Sequence, residues 1–583
     1  LSWIAAVLVA LAGTGSAPVE WRDWSDAVFE QARAEKRLVL LDVGAVWCHW
    51  CHVMDETTYQ DPSVTALLRE RYIAVRVDQD ARPDLSSRYE DYGWPATVIF
   101  DPAGRELAKF QGYIQPPRLA GLLRAFANDP TPGPSVVLRE QAEAATPTVP
   151  GDLRGELERL LAERYDEEHG GWGFSHKFLD WDAVEYSLWR AREGDAAAER
   201  RARETLDRQL KLIDPVWGGV YQYSDSGIWE SPHFEKIMAM QAENLRVYAL
   251  AWRQLGDPRY LQAARDIQRY LTAFLLSPDG GFFVSQDADL VPGQHSADYF
   301  AKSDAERRAL GVPRVDRHVY ARETAWAAQA LVALHAATGE PEPLEQALRA
   351  ARFVVDRRGL PGGGFRHDER DGAGPYLGDT LAAGRAFLAL YMATADPTWL
   401  ARAVEAADFI ERSFRLTDTP GYATARPTSR MDRPAPQRDE NVMLVRFANL
   451  LHQVTGQARH RAIAEQALAW LSLPEVARRP QTGGVLLSLR EAAEPPAHIT
   501  VVGPRDDERT RTLLRAALAL PGGYKRVEVL DRARGPLPNP DVEYPQLAEP
   551  AAFVCAEGRC SRPLRSAAEI AARASRGASS PAS

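Results

Sequence analysis

A chain of 583 residues exceeds what one hydrophobic core organises, so it divides into domains. Its 45% hydrophobic and 26% charged residues exclude a disordered or fibrous protein, and a formal net charge of -10, with no Lys/Arg cluster interleaved with aromatics, excludes a nucleic-acid binder. Four cysteines, close in sequence as Cys48/Cys51 and Cys555/Cys560, are too few to build a fold from disulfides.

In chain order, residues 1–12 are apolar and too short to span a bilayer, and the small residues Gly13 to Ala17 follow. We read 1–17 as a signal peptide, which places the protein outside the cytoplasm, periplasmic or extracellular. If the run is instead an apolar lead-in to Trp21 and Trp24, the location is cytoplasmic. No later stretch reads as a membrane span. The run Leu-Val-Leu-Leu-Asp-Val over 38–43 predicts a strand buried on both faces. A helical stretch, a second such strand over 72–78, a strand over 97–100, turn residues Asp101-Pro102-Ala103-Gly104 and a strand over 106–110 follow, then a helix over 115–126. The order β-α-β then β-β-α predicts a thioredoxin-like α/β domain over 18–128. Residues 129–150, rich in Pro, Ala, Thr and Gly, predict a linker.

Beyond it, apolar residues recur at helical spacing over 153–165, 183–192, 197–213, 235–255, 260–275, 321–338, 344–357, 379–392, 400–414, 440–454 and 460–471. Glycine followed by an aromatic or apolar residue punctuates these helices: Gly171-Trp172-Gly173-Phe174, Gly219-Val220-Tyr221, Gly281-Phe282-Phe283, Gly364-Phe365, Gly421-Tyr422 and Gly484-Val485. Six marks of unequal spacing predict six helical hairpins closed into an all-α (α/α)6 toroid over 151–495 rather than an open solenoid. Residues 499–503, 507–520 and 527–530 predict a small β-α-β piece in a C-terminal α/β extension over 496–565, and 566–583, Ala/Ser-rich, a flexible tail.

Cys48-His49-Trp50-Cys51 follows a buried strand and opens a helix. Unpaired backbone N–H groups and the helix dipole stabilise a thiolate at Cys48, and Cys51, one turn on, can resolve a mixed disulfide. Trp94-Pro95 enters the later strand where this fold places a cis-proline beside the cysteines, so Pro95 joins Cys48 and Cys51 as a catalytic candidate. Three rival readings compete. Cys48-x-x-Cys51-His52 matches haem attachment, but a thioredoxin sheet offers no distal ligand or haem pocket. Cys48, His49, Cys51 and His52 are suitable zinc or copper ligands, but adjacent residues at a helix start converge poorly on one ion. The pair could also be a structural disulfide. We expect redox chemistry with no metal and no cofactor, and protein thiols or disulfides as partners. Cys555 and Cys560, in a turn-like stretch, are expected to form a local structural disulfide.

Loops that lead into inner toroid helices carry His176, Lys177, Tyr223, Trp229, His233, Glu235, Lys236, Asp287, Asp289, Glu323 and Asp379. Aromatic walls and paired carboxyls suit a carbohydrate ligand. Equally, Glu235, Glu323, Asp379 and Glu440 fall in first helical turns, where the dipole favours acids without catalysis.

These residues resemble the spermatogenesis-associated protein 20-like family, over nearly the whole chain. The resemblance rests on Trp47-Cys48-His49-Trp50-Cys51-His52-Val53-Met54, Val77-Asp78 with Arg82-Pro83-Asp84, Gly93-Trp94-Pro95, Pro232-His233-Phe234-Glu235-Lys236, Gln286-Asp287-Ala288-Asp289 and the Cys555/Cys560 pair. It implies a thioredoxin-like domain fused to a six-hairpin glycosidase-like toroid. Departures are a single Gly93 before Trp-Pro, Leu179 after Lys177-Phe178, Ala239-Met240-Gln241 in place of Tyr-Asp-Asn, and no Glu-Gly-x-Phe-Tyr segment. They weaken inherited toroid chemistry and leave the thiol motif intact. The leading expectation is a thiol-disulfide oxidoreductase whose toroid recognises a glycan or a partner. The alternatives are a carbohydrate-active isomerase or hydrolase centred on His233, Glu235, Asp287 and Asp289, and a non-catalytic scaffold.

Overall fold

A computed structural model describes residues 18–89, 93–136, 152–429, 431–556 and 559–576. The expected signal peptide and most of the expected linker lie outside the described residues.

The N-terminal domain is a five-stranded sheet of order β1-β3-β2-β4-β5. Its strands are β1 (Trp21–Arg22), β2 (Leu38–Gly44), β3 (Tyr72–Asp78), β4 (Ala96–Phe100) and β5 (Glu106–Gln111). β2 is central, parallel to β3 and antiparallel to β4. Its apolar run is buried throughout because successive side chains serve opposite faces. Val39, Leu41 and Val43 pack with α1 (Asp26–Glu35) and with Leu85 and Tyr89 of α4 (Pro83–Tyr89). Leu38 and Leu40 pack with α2 (His49–Glu56), α3 (Pro62–Arg71) and α5 (Pro116–Asn128). This is the predicted thioredoxin-like domain, with an extra edge strand β1. The first linker residues run back along β5, where Gly133 N–H donates to Leu107 O and Lys109 N–H to Ser135 Oγ.

The toroid is a closed double ring. Its inner helices are α7 (Trp181–Arg192), α9 (Met238–Leu255), α11 (Ala321–Thr338), α13 (Leu377–Thr394), α15 (Arg438–Thr455) and α17 (Gly483–Ala493), each packed on the next, with α17 returning to α7. Outside them lie α8 (Ala196–Gln209), α10 (Pro258–Tyr270), α12 (Pro341–Phe353), α14 (Pro397–Phe414), α16 (Ala458–Leu471) and α6 (Leu153–Glu163). Inner helices such as α13 are buried on all sides, whereas outer α10 buries one stripe, Tyr260, Ala263, Ala264 and Ile267. One prediction is corrected. Five glycine marks are turns, each closing a bridge such as Tyr165 with Trp172 or Ile213 with Val220, but Gly484 lies inside inner helix α17. The sixth hairpin is therefore split between the two ends of the toroid, α6 and α17.

The extension is a sheet of order β7-β6-β8-β9, made of β6 (Ala497–Val502), β7 (Lys525–Leu530), β8 (Ala551–Ala556) and β9 (Arg559–Cys560), with α18 (Glu508–Leu518). It packs against α11, α13 and α15, closing the ring at the C-terminal ends of the inner helices. Cys555 and Cys560 face each other across β8 and β9, not in a simple turn, and are disulfide-bonded. Part of the expected flexible tail is ordered, and residues 577–583 lie outside the described residues. Residues Ala567–Arg576 form a helix, α19, that buries Ile570 against the extension.

Candidate functional site at the domain junction

The cysteine pair is built by the end of β2 and the start of α2. Cys48 is the N-cap of α2, and its Sγ accepts the Cys51 N–H at 3.1 Å. The two cysteines are disulfide-bonded. The Trp94–Pro95 peptide is cis and leads straight into β4, the neighbour of β2. Gly44 at the end of β2 admits the pair: a Cβ there would sit 3.3 Å from Cys51 Sγ. Trp47, Cys48 and Ala45 are buried with Trp94 and with Ile237 of the toroid against them, while Trp50 is exposed.

Ile237 signals the main feature of the site. The N-terminal ends of the inner toroid helices are turned toward the cysteine-bearing face of the thioredoxin-like domain. Asp289 lies with Oδ1 2.8 Å from His49 Nδ1 and with Oδ2 3.2 Å from His52 Nδ1. His52 Nε2 bonds the Val46 carbonyl at 3.1 Å. Glu235 Oε1 accepts the His49 N–H, the first free N–H of α2, at 3.4 Å, and Glu235 Oε2 is buried with no hydrogen-bond partner. Burial pushes Glu235 up to about 7. Asp287 is pushed up to about 6, by burial first and by Asp289. Burial opposes the charged forms of His49 and His52, but hydrogen bonds and charge from Asp289 outweigh it and raise both imidazoles. The same bonds overcome burial at Asp289 and lower its carboxyl. His233 is driven down to about 4 by burial, stacks on Tyr223 and stands 4.0 Å from Glu235 Oε2.

His52, Asp287 and Asp289 bring one ligand atom each within 4.8 Å of one another. Both nitrogens of His52 are bonded within the protein, to Asp289 and to the Val46 carbonyl, so these residues form an interdomain salt link.

The other predicted toroid residues separate. Glu323 is ion-paired with Arg322, and Asp379 accepts the Arg322 N–H and holds His367 at 2.9 Å. His367 in turn donates Nε2–H to the Asp80 carbonyl of the thioredoxin-like domain at 2.7 Å. His176 is largely exposed beside Tyr223. Three residues read as site candidates are instead buried in the frame. Lys177 Nζ is tied to Asp166, Lys236 Nζ to Asp214, and Trp229 Nε1–H donates to the His169 carbonyl. A charged or aromatic residue after a glycine turn suggested a mouth, but these side chains hold the turns shut.

Several functional candidates were missed. Asp42, the one carboxylate in the apolar run of β2, is buried beneath the motif, pushed up to about 6 by burial, and paired with Arg76 at 3.0 Å. That interruption was its signal. Asp80 is buried, raised well above the usual carboxylate range by burial and by Asp78, and accepts Trp47 Nε1–H at 2.8 Å. At the ring centre, a cavity of about 220 Å³ is lined by Trp181, Asp182, Arg322, Trp326, Arg385 and Glu440, with Ser86 and Ser87 of the thioredoxin-like domain at its edge. Burial pushes both Asp182 and Glu440 up to about 7, and Glu440 Oε2 is without a hydrogen-bond partner. First-turn acids carry no mark in sequence that separates this arrangement from a helix cap.

Residues 10–123 match the family Thioredox_DsbH, a protein of unknown function, DUF255. Spermatogenesis-associated protein 20 of Mus musculus is 29% identical over 313 residues, 47% of this chain and 39% of that protein. The match thus spans less than half the length of that relative. Thiol:disulfide interchange protein DsbD 1 of Pseudomonas aeruginosa is 35% identical over 127 residues, 20% of this chain and 21% of its own. The crystal structure of a D-mannose isomerase superposes with a TM-score of 0.46 at 11% identity, covering 58% of this chain and 97% of that one.

Proposed function

We propose that the protein is a thiol-disulfide oxidoreductase centred on Cys48 and Cys51. The observation that carries this reading is the placement of the Cys48 sulfur as N-cap of α2, accepting the Cys51 N–H. A thiolate there is favoured by the helix dipole and by a hydrogen bond that no neutral thiol accepts as well. The likeness to a thiol:disulfide interchange protein over this domain supports it. In the reduced protein the Cys48 thiolate attacks a substrate disulfide, whose S–S bond breaks, and one substrate sulfur leaves as a thiol. Cys51 then attacks the mixed disulfide at Cys48, releasing the second substrate thiol and closing the Cys48–Cys51 bond. Two electrons pass to the substrate, and a dithiol donor reopens the pair; the reverse sequence oxidises a dithiol. Cys48→Ser should abolish disulfide reduction by the pre-reduced protein, and Cys51→Ser should accumulate the mixed disulfide, visible as an added mass. Full turnover by Cys48→Ser would end this reading. A signal peptide over residues 1–17 would put the pair in an oxidising compartment.

A second reading, carbohydrate processing, is favoured by the ring-centre cavity, where Trp181 and Trp326 flank two near-neutral acids, Asp182 and Glu440. It moves away from Glu235, Asp287 and Asp289, which meet the cysteine motif instead, and from His233, which stacks on Tyr223. A glycan array probed with the full chain tests it. Binding lost in Glu440→Gln supports it, and no binding by the wild-type chain removes it.

A further inference from the structure

The toroid reaches the cysteine motif through one carboxylate shared by two imidazoles, and the hydrogen-bond geometry fixes the charge of at least one of them. The Val46 carbonyl can only accept, so the His52 Nε2 facing it carries a hydrogen. His52 Nδ1 faces the Asp289 carboxylate, which also only accepts, so that nitrogen carries a hydrogen too. A ring that donates from both nitrogens is an imidazolium. His49 Nδ1 meets the same carboxylate at 2.8 and 3.0 Å. Asp289 is 2% exposed and is held in turn by the Gly293 N–H at 2.8 Å, so it is a fixed counter-charge and not a surface side chain. The two histidines are the residues that immediately follow Cys48 and Cys51.

We propose that Asp289 of the toroid is a positioning residue of the redox centre: it holds His49 and His52 as imidazolium ions at the start of α2 and so keeps Cys48 a thiolate when the disulfide is open. The proposal rests on the thiol-disulfide reading of Cys48. Its sign follows from counting charge. Geometry fixes the His52 charge, and in this assignment the raised His49 carries the second, so with Asp289 ionised the three groups sum to plus one next in sequence to Cys48 and Cys51. Without Asp289, burial favours the neutral rings, and the sum falls toward zero as they lose their protons. The other groups facing the rings stay in place: Asp55 on α2, and Glu235, His233, Asp287 and His295 from the toroid. Arg314 faces Asp287. The thioredoxin-like domain therefore carries the reactive sulfur, and the toroid sets how reactive it is.

The test is the pH profile of Cys48 alkylation by iodoacetamide in the reduced full-length chain, read site-specifically by mass spectrometry of the Cys48 peptide. Asp289→Asn should raise the midpoint by about one pH unit, the lower end of what a nearby opposite charge supplies. Asp289→Glu, which keeps the charge, should return most of that shift. His49→Gln/His52→Gln, made entirely in the thioredoxin-like domain, should raise the midpoint at least as far, because it removes both cations and leaves the Asp289 charge without its partners. An Asp289→Asn protein with wild-type circular dichroism and an unshifted midpoint overturns the proposal. If that variant does not fold, an unshifted midpoint in the double histidine variant overturns it equally. Failure of the underlying reading looks different: the wild-type profile would show a low midpoint that shifts as expected, while the reduced protein reduces no disulfide.

Discussion

A lysine ammonium with no water around it must have its counter-charge built in, and Lys236 does. Its Nζ is 2.8 Å from Asp214 Oδ2 and 2.8 Å from the Gly218 carbonyl, and Arg307 reaches the same carboxylate at 2.7 Å. All three side chains are fully buried. Asp214→Asn leaves two interior cations without their anion, and breaking such a network costs about 3–5 kcal/mol. A urea unfolding curve of the full chain should show that loss as a lower midpoint at unchanged slope, and an unchanged midpoint would refute the assignment. Asp166 and Lys177 repeat the arrangement one hairpin earlier, and both aspartates stand four residues before a glycine pair, Gly170-Gly171 and Gly218-Gly219. That spacing was the signal that Lys177 and Lys236 hold turns. The cysteines were legible for the opposite reason. Their chemistry is local, carried by one strand end and one helix start, whereas the meeting of His49 with Asp289 joins residues 240 apart, which no periodicity reports.

The helices of the toroid were legible wherever an apolar stripe or an apolar run set the period, and α11 begins and ends where its pattern does. Helix α17 was not, because Gly483-Gly484 reads as a turn. The glycines serve closeness instead. A Cβ at position 483 would lie 2.4 Å from Ala183 N and 2.6 Å from Asp182 C, and one at 484 would lie 2.6 Å from Asp182 Oδ2. α17 thus meets the first turn of α7 backbone to backbone, and this contact closes the ring. Gly483→Ala must push the two helices apart, since the obstacle is backbone and cannot rotate away. The cost is that of overpacking, about 1–3 kcal/mol, although alanine is the better helix former by about 1 kcal/mol. Thermal unfolding of the variant should begin at a lower temperature, with hydrogen exchange rising first in α6, α7 and α17. A gain in stability would mean that the ring closes elsewhere.

At the scale of the whole molecule, the toroid is covered at both ends: by the extension at the C-terminal ends of its inner helices and by the thioredoxin-like domain at their N-terminal ends. Among the described residues no helix is long and apolar enough to cross a membrane. The second cover is fastened by His367, buried in the toroid between Asp379 and the Asp80 carbonyl. Burial works against its imidazolium, but the charge and hydrogen bond of Asp379 prevail and push His367 up to about 9. An unfolded histidine titrates near about 6.5. Because the folded value is the higher one, protonation favours the docked, folded chain: the contribution is complete below about pH 6.5 and fades as pH rises through about 9. His367→Gln removes the titrating group, so wild type and variant should differ most at pH 6 and converge by about pH 10. Thermal unfolding of both proteins across that range measures the gap directly. A gap that stayed constant with pH would mean that His367 fastens the domains as a neutral ring, through shape and the Asp80 bond alone. A gap that closes would identify the junction over the cysteines as an ionic fastening that alkaline conditions loosen.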